Sequence, residues 1–197
     1  GSLYKNFMEE ILINKKVDSY LVPDAERVTF WKERLKSLGN GPCIGISWKS
    51  ILMTPERLPN YAPISEWAPI LTIPNVTFIN LQPKDFDDDL HIIKSDFGVT
   101  VHNFNDLDHF NDLDDVAALC AALDMVVSNK TTVPLISSAV GTSTKLANWR
   151  QSSWNNPLLN PKGPLLDIYE RDTWDTWENI FSLIKEDIVE QIKNWSS

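Results

Sequence analysis

Residues 124–141, DMVVSNKTTVPLISSAVG, decide the fold that we predict for this chain. An apolar strand (MVV) runs into a short polar turn (SNKTT), and an apolar helix begins near Pro134. A helix N-terminus that follows a strand offers free backbone N–H groups and a positive dipole end, which together suit a phosphate group. We therefore predict a diphosphate-binding turn at Asn129, Lys130, Thr131 and Thr132. An ordinary capped helix start is the alternative interpretation.

Strand and helix patterns alternate on both sides of this segment. Strands are predicted at 43–48, 76–81, 99–104, 125–128 and 165–169, with a weak one at 143–147, where the sequence is polar. Helices are predicted at 25–38, 64–73, 87–97, 114–123, 134–140 and 174–195. Such alternation is typical of βαβ units and predicts an α/β fold: a three-layer α/β/α, Rossmann-like, doubly wound and mostly parallel sheet. We assign residues 1–40 to a lead-in and linker helix, and residues 41–197 to the Rossmann-like domain with its C-terminal helix.

Further candidate ligand contacts follow the other strands. In doubly wound sheets, ligands bind at the carboxyl ends of the strands, where the strand order reverses. Lys49 follows the first predicted strand, and Gln82 follows the second. We predict Lys49 as a phosphate contact, with a solvated loop lysine as the alternative.

Composition and charge exclude several classes of protein. The chain has 197 residues, 43% of them hydrophobic, and a net charge of −9, which argues against a nucleic-acid partner because that requires clustered basic residues. No apolar run reaches the roughly 18 residues of a membrane span, and no secretory leader is evident, so we expect a cytoplasmic protein without a membrane span. Cys43 and Cys120 are predicted to be buried free thiols.

The acidic run at 105–115 does not have the pattern of a metal site. It lacks the glycine and distal glutamate of a calcium loop, and a helix N-cap at Asp112 or Asp114 explains much of it. We expect His91, His102 and His109 to be surface or strand residues. There is no Walker loop and no GxGxxG motif, which argues against P-loop and dinucleotide-binding sites.

A family resemblance extends over residues 20–183. It rests on an ordered series of motifs at 20–24, 44–50 (IGISWKS), 57–58, 64–76, 78–82 (FINLQ) and 112–124. In this order and spacing, the chain resembles the C-terminal half of GT-B glycosyltransferases that are fused to tetratricopeptide repeats. That group is similar to O-linked N-acetylglucosamine transferases and to heptosyltransferases.

The resemblance implies a donor-binding domain of a glycosyltransferase, which transfers a sugar from a nucleoside-diphosphate sugar to an unknown acceptor. It implies that Lys49 and the Lys130 turn hold the diphosphate without a metal or other cofactor, and that Arg57 neutralises it. Ser47 would also shape the phosphate loop, and we predict both Ser47 and Gln82 as nucleotide- or sugar-binding residues, with Gln82 near the base or ribose. A salt bridge to Glu56 or Glu66 is the alternative role for Arg57.

The chain also departs from this family. Many relatives have aspartate at the position of Lys130 and histidine at that of Leu135, so a degenerate, non-catalytic interaction module with the same fold is the alternative function. GT-B enzymes also need a second Rossmann-like half, which provides the acceptor site and usually the base. We therefore expect that this half, and tetratricopeptide repeats, belong to the same polypeptide. The catalytic residues remain unassigned.

Overall fold

A computed structural model describes residues 19–150 and 165–195 of the chain. The strands are β1 (Cys43–Ser47), β2 (Thr77–Asn80), β3 (Val101–His102), β4 (Met125–Ser128), β5 (Ser143–Trp149) and β6 (Leu166–Arg171). They form one six-stranded sheet in the order β3-β2-β1-β4-β5-β6, and every neighbouring pair is parallel. The predicted doubly wound sheet is thus confirmed, and its described strands are all parallel.

The α-helices of the described residues are α1 (Ala25–Lys36), α2 (Ala68–Leu71), α3 (Asp87–Phe97), α4 (Leu113–Ala122), α5 (Val133–Ala139) and α6 (Trp177–Trp195). Two 3₁₀ turns, Leu58–Asn60 and Ile64–Trp67, precede α2. Local chemistry sets several of these boundaries. Asp24 and Asp112 cap α1 and α4 through their side chains, and Gly98 ends α3 at a φ of 69°.

Two apolar layers cover the two faces of the sheet. Helices α2, α3 and α6 cover one face, and α1, α4 and α5 cover the other. Alternation along β4 explains the division, because Met125 and Val127 join the first layer while Val126 joins the second. The three-layer arrangement is confirmed, and it keeps both faces of the parallel sheet dry.

Strand β5 is stronger than its polar sequence suggested. It spans seven residues and pairs with both β4 and β6, and the buried side chains of Thr144 and Lys145 have polar partners. The hydroxyl groups of Thr144 and Ser137 are 2.8 Å apart, and Lys145 Nζ lies 2.7 Å from a carboxylate oxygen of Asp167. Burial of Thr144 and Lys145 is therefore tolerated because their polar groups have partners.

Helix α1 belongs to the same packed unit as the sheet. Trp31 is fully buried, and its indole N–H donates to Asp115 at 2.8 Å. Arg27 donates two further hydrogen bonds to Asp115, at 2.8 and 2.6 Å. Residues 25–36 thus pack directly on α4, and the domain boundary at residue 40 stays a prediction. The rest of the predicted lead-in, up to residue 18, lies outside the described residues.

Two smaller predictions concern the cysteines and the membrane. Cys43 and Cys120 are buried free thiols as predicted, and burial raises their pKa values to about 11 and about 12. In the part of the chain that the structure describes, no helix has the length and apolar character that crossing a bilayer requires.

Candidate functional site

The centre of the sheet positions the candidate site. β1 lies between β2 and β4. From β1 the chain adds β2 and β3 towards one edge of the sheet, and from β4 it adds β5 and β6 towards the other edge, so the strand order reverses between β1 and β4. Ser47 at the end of β1 is paired in register with Ser128 at the end of β4. The loop that carries Lys49 and the turn that carries Lys130 therefore emerge side by side, in the crevice where doubly wound sheets bind ligands.

A cavity of about 460 Å³ opens between these two loops. Its lining includes hydroxyl and cationic side chains, namely Lys49, Ser50, Arg57, Lys130, Thr131 and Thr132. It also includes apolar residues, among them Leu81, Pro83, Phe110, Leu113 and Val116. Among the described residues that line the cavity there is no aspartate or glutamate. A cationic pocket is thus built into a chain whose net charge is −9.

Lys130 and Arg57 place two positive charges near each other in this pocket. Burial, and then the neighbouring charge of Arg57, lower the pKa of Lys130 below its usual range. Arg57 is held by two long hydrogen bonds of 3.4 Å, to the hydroxyl of Ser50 and the carbonyl of Leu52. A bound anion would relieve the repulsion between the two cations.

The Lys49 loop is held from below by Gln82. Its amide oxygen accepts hydrogen bonds from the backbone N–H groups of Trp48 and Lys49, at 3.2 and 3.1 Å. Its amide nitrogen donates to the carbonyl oxygen of Lys49 at 2.8 Å. Gln82 is fully buried and fixes the backbone of the loop rather than facing the cavity.

The turn after β4 is fixed in a similar way. Asn129 is fully buried; its amide oxygen accepts from the N–H of Ala62, and its amide nitrogen donates to the carbonyl of Ala147. The hydroxyl of Thr131 accepts from the N–H of Val133 at 3.3 Å, at the start of α5. Thr132, in contrast, is exposed and its side chain makes no capping hydrogen bond.

The structure divides the eight predicted site residues into two groups. Five of them line the cavity together: Lys49, Arg57, Lys130, Thr131 and Thr132. The other three, Ser47, Gln82 and Asn129, are fully buried beneath the loops and do not line the cavity. The placement of Ser47 and Gln82 differs from the expectation that they contact the nucleotide, because their hydrogen-bonding atoms are engaged within the protein. The hydroxyl of Ser47 is in hydrogen-bonding distance of Gln82 and Thr131, at 3.3 and 3.2 Å.

Neither predicted salt bridge of Arg57 is among the ion pairs of the described residues. Glu66 instead accepts hydrogen bonds from the N–H groups of Trp177 and Glu178, which open α6. A carboxylate at a helix N-terminus is favourable because of the helix dipole. Glu66 is therefore committed to capping the C-terminal helix, and Arg57 stays at the cavity.

His109 is a cavity residue that the sequence analysis did not identify. It lies in the loop between β3 and α4, and it lines the cavity. Both of its ring nitrogens are shielded from solvent and have no hydrogen-bond partner among the described residues. Burial lowers the pKa of His109, which favours the neutral imidazole. No motif marks this histidine, since only the folding of its loop brings it to the cavity.

No group of three or more histidine, cysteine, aspartate or glutamate residues that could hold a metal ion occurs in residues 19–150 and 165–195. Aspartates of the acidic run at 105–115 form hydrogen bonds that stabilise the local backbone. Asp112 caps α4, and Asp108 accepts hydrogen bonds from the N–H groups of Phe110 and Asn111. Metal independence of the site stays a prediction.

Comparison with solved structures defines the class of fold. The chain resembles E. coli ADP-heptose lipopolysaccharide heptosyltransferase II, with a TM-score of 0.63, 14% identity and coverage of 90% of this chain and 54% of the other. It resembles a family 9 glycosyltransferase from Veillonella parvula DSM 2008 with a TM-score of 0.63 and 10% identity, covering 95% of this chain and 57% of that one. For E. coli heptosyltransferase WaaC with ADP, the TM-score is 0.57 and the identity 12%, with coverage of 81% and 48%. The chain therefore has a Rossmann-like α/β fold that matches about half of each of these GT-B glycosyltransferases.

Sequence comparison finds a relative that is more similar at the residue level. Protein FlbA of Caulobacter vibrioides is 35% identical over 165 residues, which are 83% of this chain and 28% of FlbA. No family model matches the chain. The chain thus spans about a quarter of this curated relative and about half of each of the solved structures.

Proposed function

We propose that this chain is the donor-binding half of a GT-B glycosyltransferase and that its cavity binds a nucleoside-diphosphate sugar. The observation that carries the proposal is the cavity at the reversal of strand order, which is lined by Lys49, Arg57 and Lys130 and by no carboxylate of the described residues. An anionic ligand is the chemistry that such a lining favours in a chain of net charge −9.

The mixed lining of the cavity supports a ligand with two chemically different parts. Its cationic and hydroxyl side chains suit a diphosphate, and its apolar side chains, which include Phe110 and Leu113, suit a flat apolar group such as a nucleobase. The volume of about 460 Å³ falls in the range of small-molecule sites. The fold is also that of heptosyltransferases, one of which has been solved with ADP.

In this proposal the chain supplies the part of the enzyme that stabilises the leaving diphosphate. Preorganised cations next to the position where negative charge develops lower the barrier to transfer. The cationic side chains and the Thr132 hydroxyl would contact the diphosphate oxygens, while Gln82 and Asn129 hold the two loops in place. Acceptor binding and general-base catalysis would come from a second Rossmann-like half, since the solved neighbours are about twice as long as the matched region.

Ligand-induced stabilisation tests the proposal. We expect inorganic pyrophosphate, and at least one of ADP, UDP and GDP or their sugars, to raise the melting temperature of the chain. A ligand at 100 times its Kd stabilises the folded state by about 2.7 kcal/mol, which corresponds to a shift of roughly 5–11 °C for a chain of this size.

Matched variants show whether the predicted cations are responsible. Arg57→Met should reduce the shift, whereas Lys32→Met removes an exposed positive charge outside the cavity and should leave the shift unchanged. Absence of any shift at millimolar concentrations of every ligand would refute the proposal. It would favour the alternative of a degenerate interaction module, in which Leu135 provides an apolar wall of the cavity.

A further inference from the structure

The ammonium group of Lys49 is engaged by a carboxylate that does not line the cavity. Lys49 Nζ lies 2.5 Å from a carboxylate oxygen of Asp89, in the first turn of α3. We propose that Asp89 is a positioning residue which holds Lys49 in the ligand-free protein and competes with the bound diphosphate for its ammonium group. This inference rests on the proposed function and adds a control of affinity to it.

The surroundings of the pair make Asp89 the fixed partner and the lysine side chain the movable one. The same carboxylate oxygen accepts a hydrogen bond of 2.7 Å from the indole N–H of Trp48, which is only 2% exposed. The backbone of Lys49 is clamped by Gln82. The carboxylate and the loop backbone are therefore held from two sides, and the flexible four-carbon stem of Lys49 can redirect its charge.

The pair is shielded enough from solvent for the competition to matter. The side chains of Lys49 and Asp89 are 27% and 19% exposed, so water and salt screen their interaction less than at an open surface. A diphosphate that recruits Lys49 must replace this ion pair. The affinity of the site is consequently lower than its cationic lining alone would give.

Asp89→Asn removes the competing charge and keeps an oxygen that can accept from Trp48. Asp88→Asn is the matched control, because Asp88 is exposed, lies in the same helical turn and changes the net charge equally. Isothermal titration with inorganic pyrophosphate and ADP at low and high salt measures the effect. We expect Asp89→Asn to lower Kd about five-fold at low salt, as an ion pair of about 1 kcal/mol predicts, and less at high salt. Asp88→Asn should change Kd by less than about two-fold.

The double variant Lys49→Met/Asp89→Asn tests whether the effect passes through Lys49. Compared with Lys49→Met alone, it should show no gain in affinity, because the residue that Asp89 holds is absent. Asp89→Ser provides a second neutral variant if Asp89→Asn does not fold, since serine is tolerated in a first helical turn.

Three results would overturn the inference: weaker binding in Asp89→Asn, a change equal to that in Asp88→Asn, or an undiminished gain in the Lys49→Met background. Each of these leaves binding by the wild-type chain intact and therefore leaves the proposed function standing. If neither the wild-type chain nor Asp89→Asn binds pyrophosphate or any nucleoside diphosphate, both the inference and the proposed function are refuted.

Discussion

Replacing Gln82 by methionine separates two roles for this residue. The sequence analysis expected Gln82 to contact the nucleotide, whereas the structure gives it the position of a clamp beneath the Lys49 loop. Methionine keeps the length of the side chain and removes the amide group. The N–H groups of Trp48 and Lys49 then lose their acceptor, and the carbonyl of Lys49 loses its donor.

The expected cost follows from these three backbone groups. A buried polar group without a partner costs about 1–3 kcal/mol. Lys49 is partly exposed, so the loop can recover some hydrogen bonds from water, and we expect a total loss of about 2–4 kcal/mol in the free energy of unfolding. For a domain of this size, that corresponds to a melting temperature lower by roughly 4–16 °C.

Urea unfolding of Gln82→Met and of the control Gln191→Met gives the change in stability. Gln191 is a partly exposed residue of the C-terminal helix, so its replacement should change the free energy of unfolding by less than about 0.5 kcal/mol. Titration of folded Gln82→Met with pyrophosphate should also show weaker binding, because the displaced loop no longer presents Lys49 to the cavity.

A different pattern would refute the clamp. If Gln82→Met loses less than about 1 kcal/mol of stability, keeps its affinity for pyrophosphate and loses affinity for nucleoside diphosphates, then Gln82 contacts the nucleoside and the sequence-based expectation holds.

The remaining predictions concern the cavity and the α1–α4 contact. Lys130→Met should weaken pyrophosphate binding about ten-fold or more in titrations, since it removes a charged hydrogen-bond donor. Lys130→Met should also raise the melting temperature at neutral pH, because folding lowers the pKa of Lys130 and its charged form therefore destabilises the folded state. This gain in melting temperature should disappear as the pH rises from the pKa of the folded state towards 10.5, where the wild-type lysine loses its charge. An unchanged Kd would contradict this role. His109→Phe should raise the Kd of the preferred nucleoside diphosphate about five-fold while the Kd of pyrophosphate stays constant, if the unpaired imidazole contacts the nucleoside; equal effects on both ligands would argue against that contact. Asp115→Asn should reduce stability by about 1 kcal/mol in urea unfolding, because it breaks the ion pair with Arg27, whose side chain is 44% exposed. Burial alone would raise the pKa of Asp115, but the hydrogen bonds it accepts lower it. The stability that this carboxylate contributes should therefore be present above about pH 4 and be lost as the pH falls towards its pKa in the folded state. If the difference in stability between the wild-type chain and Asp115→Asn does not shrink in acid, this prediction is wrong.

Much of the fold could be predicted from local patterns. The predicted bounds of β4 and α3 agree with the structure, because each combines a clear apolar pattern with an end signal such as Gly98. Strand β5 was underestimated because Thr144 and Lys145 are polar, and their buried partners come from distant positions. Single-sequence patterns cannot supply such partners, since they arise only when α5, β6 and α6 have packed around the strand.

The same distinction between local patterns and contacts from distant positions applies to the predictions for the site. Lys49 and Lys130 could be placed at the cavity because residues that follow parallel strands meet at one edge of the sheet, whereas Arg57 was expected there only from the family resemblance. The sequence could not tell which of the polar residues at that edge would face the cavity. Gln82 was predicted as a ligand contact and His109 as a surface or strand residue, whereas the structure buries Gln82 beneath the Lys49 loop and places His109 in the lining of the cavity.

The sequence by itself determined the order of strands and helices, the apolar faces that pack in three layers, and the edge of the sheet at which basic residues collect. It could do so because side-chain periodicity and helix capping are local properties of the chain. Only the tertiary structure decided which side chains became supports and which became the lining. It did so by bringing Asp89 to Lys49 and Arg57 to Lys130. Electrostatic and hydrogen-bonding partners depend on distances between residues far apart in sequence, and those distances are fixed only when the layers pack.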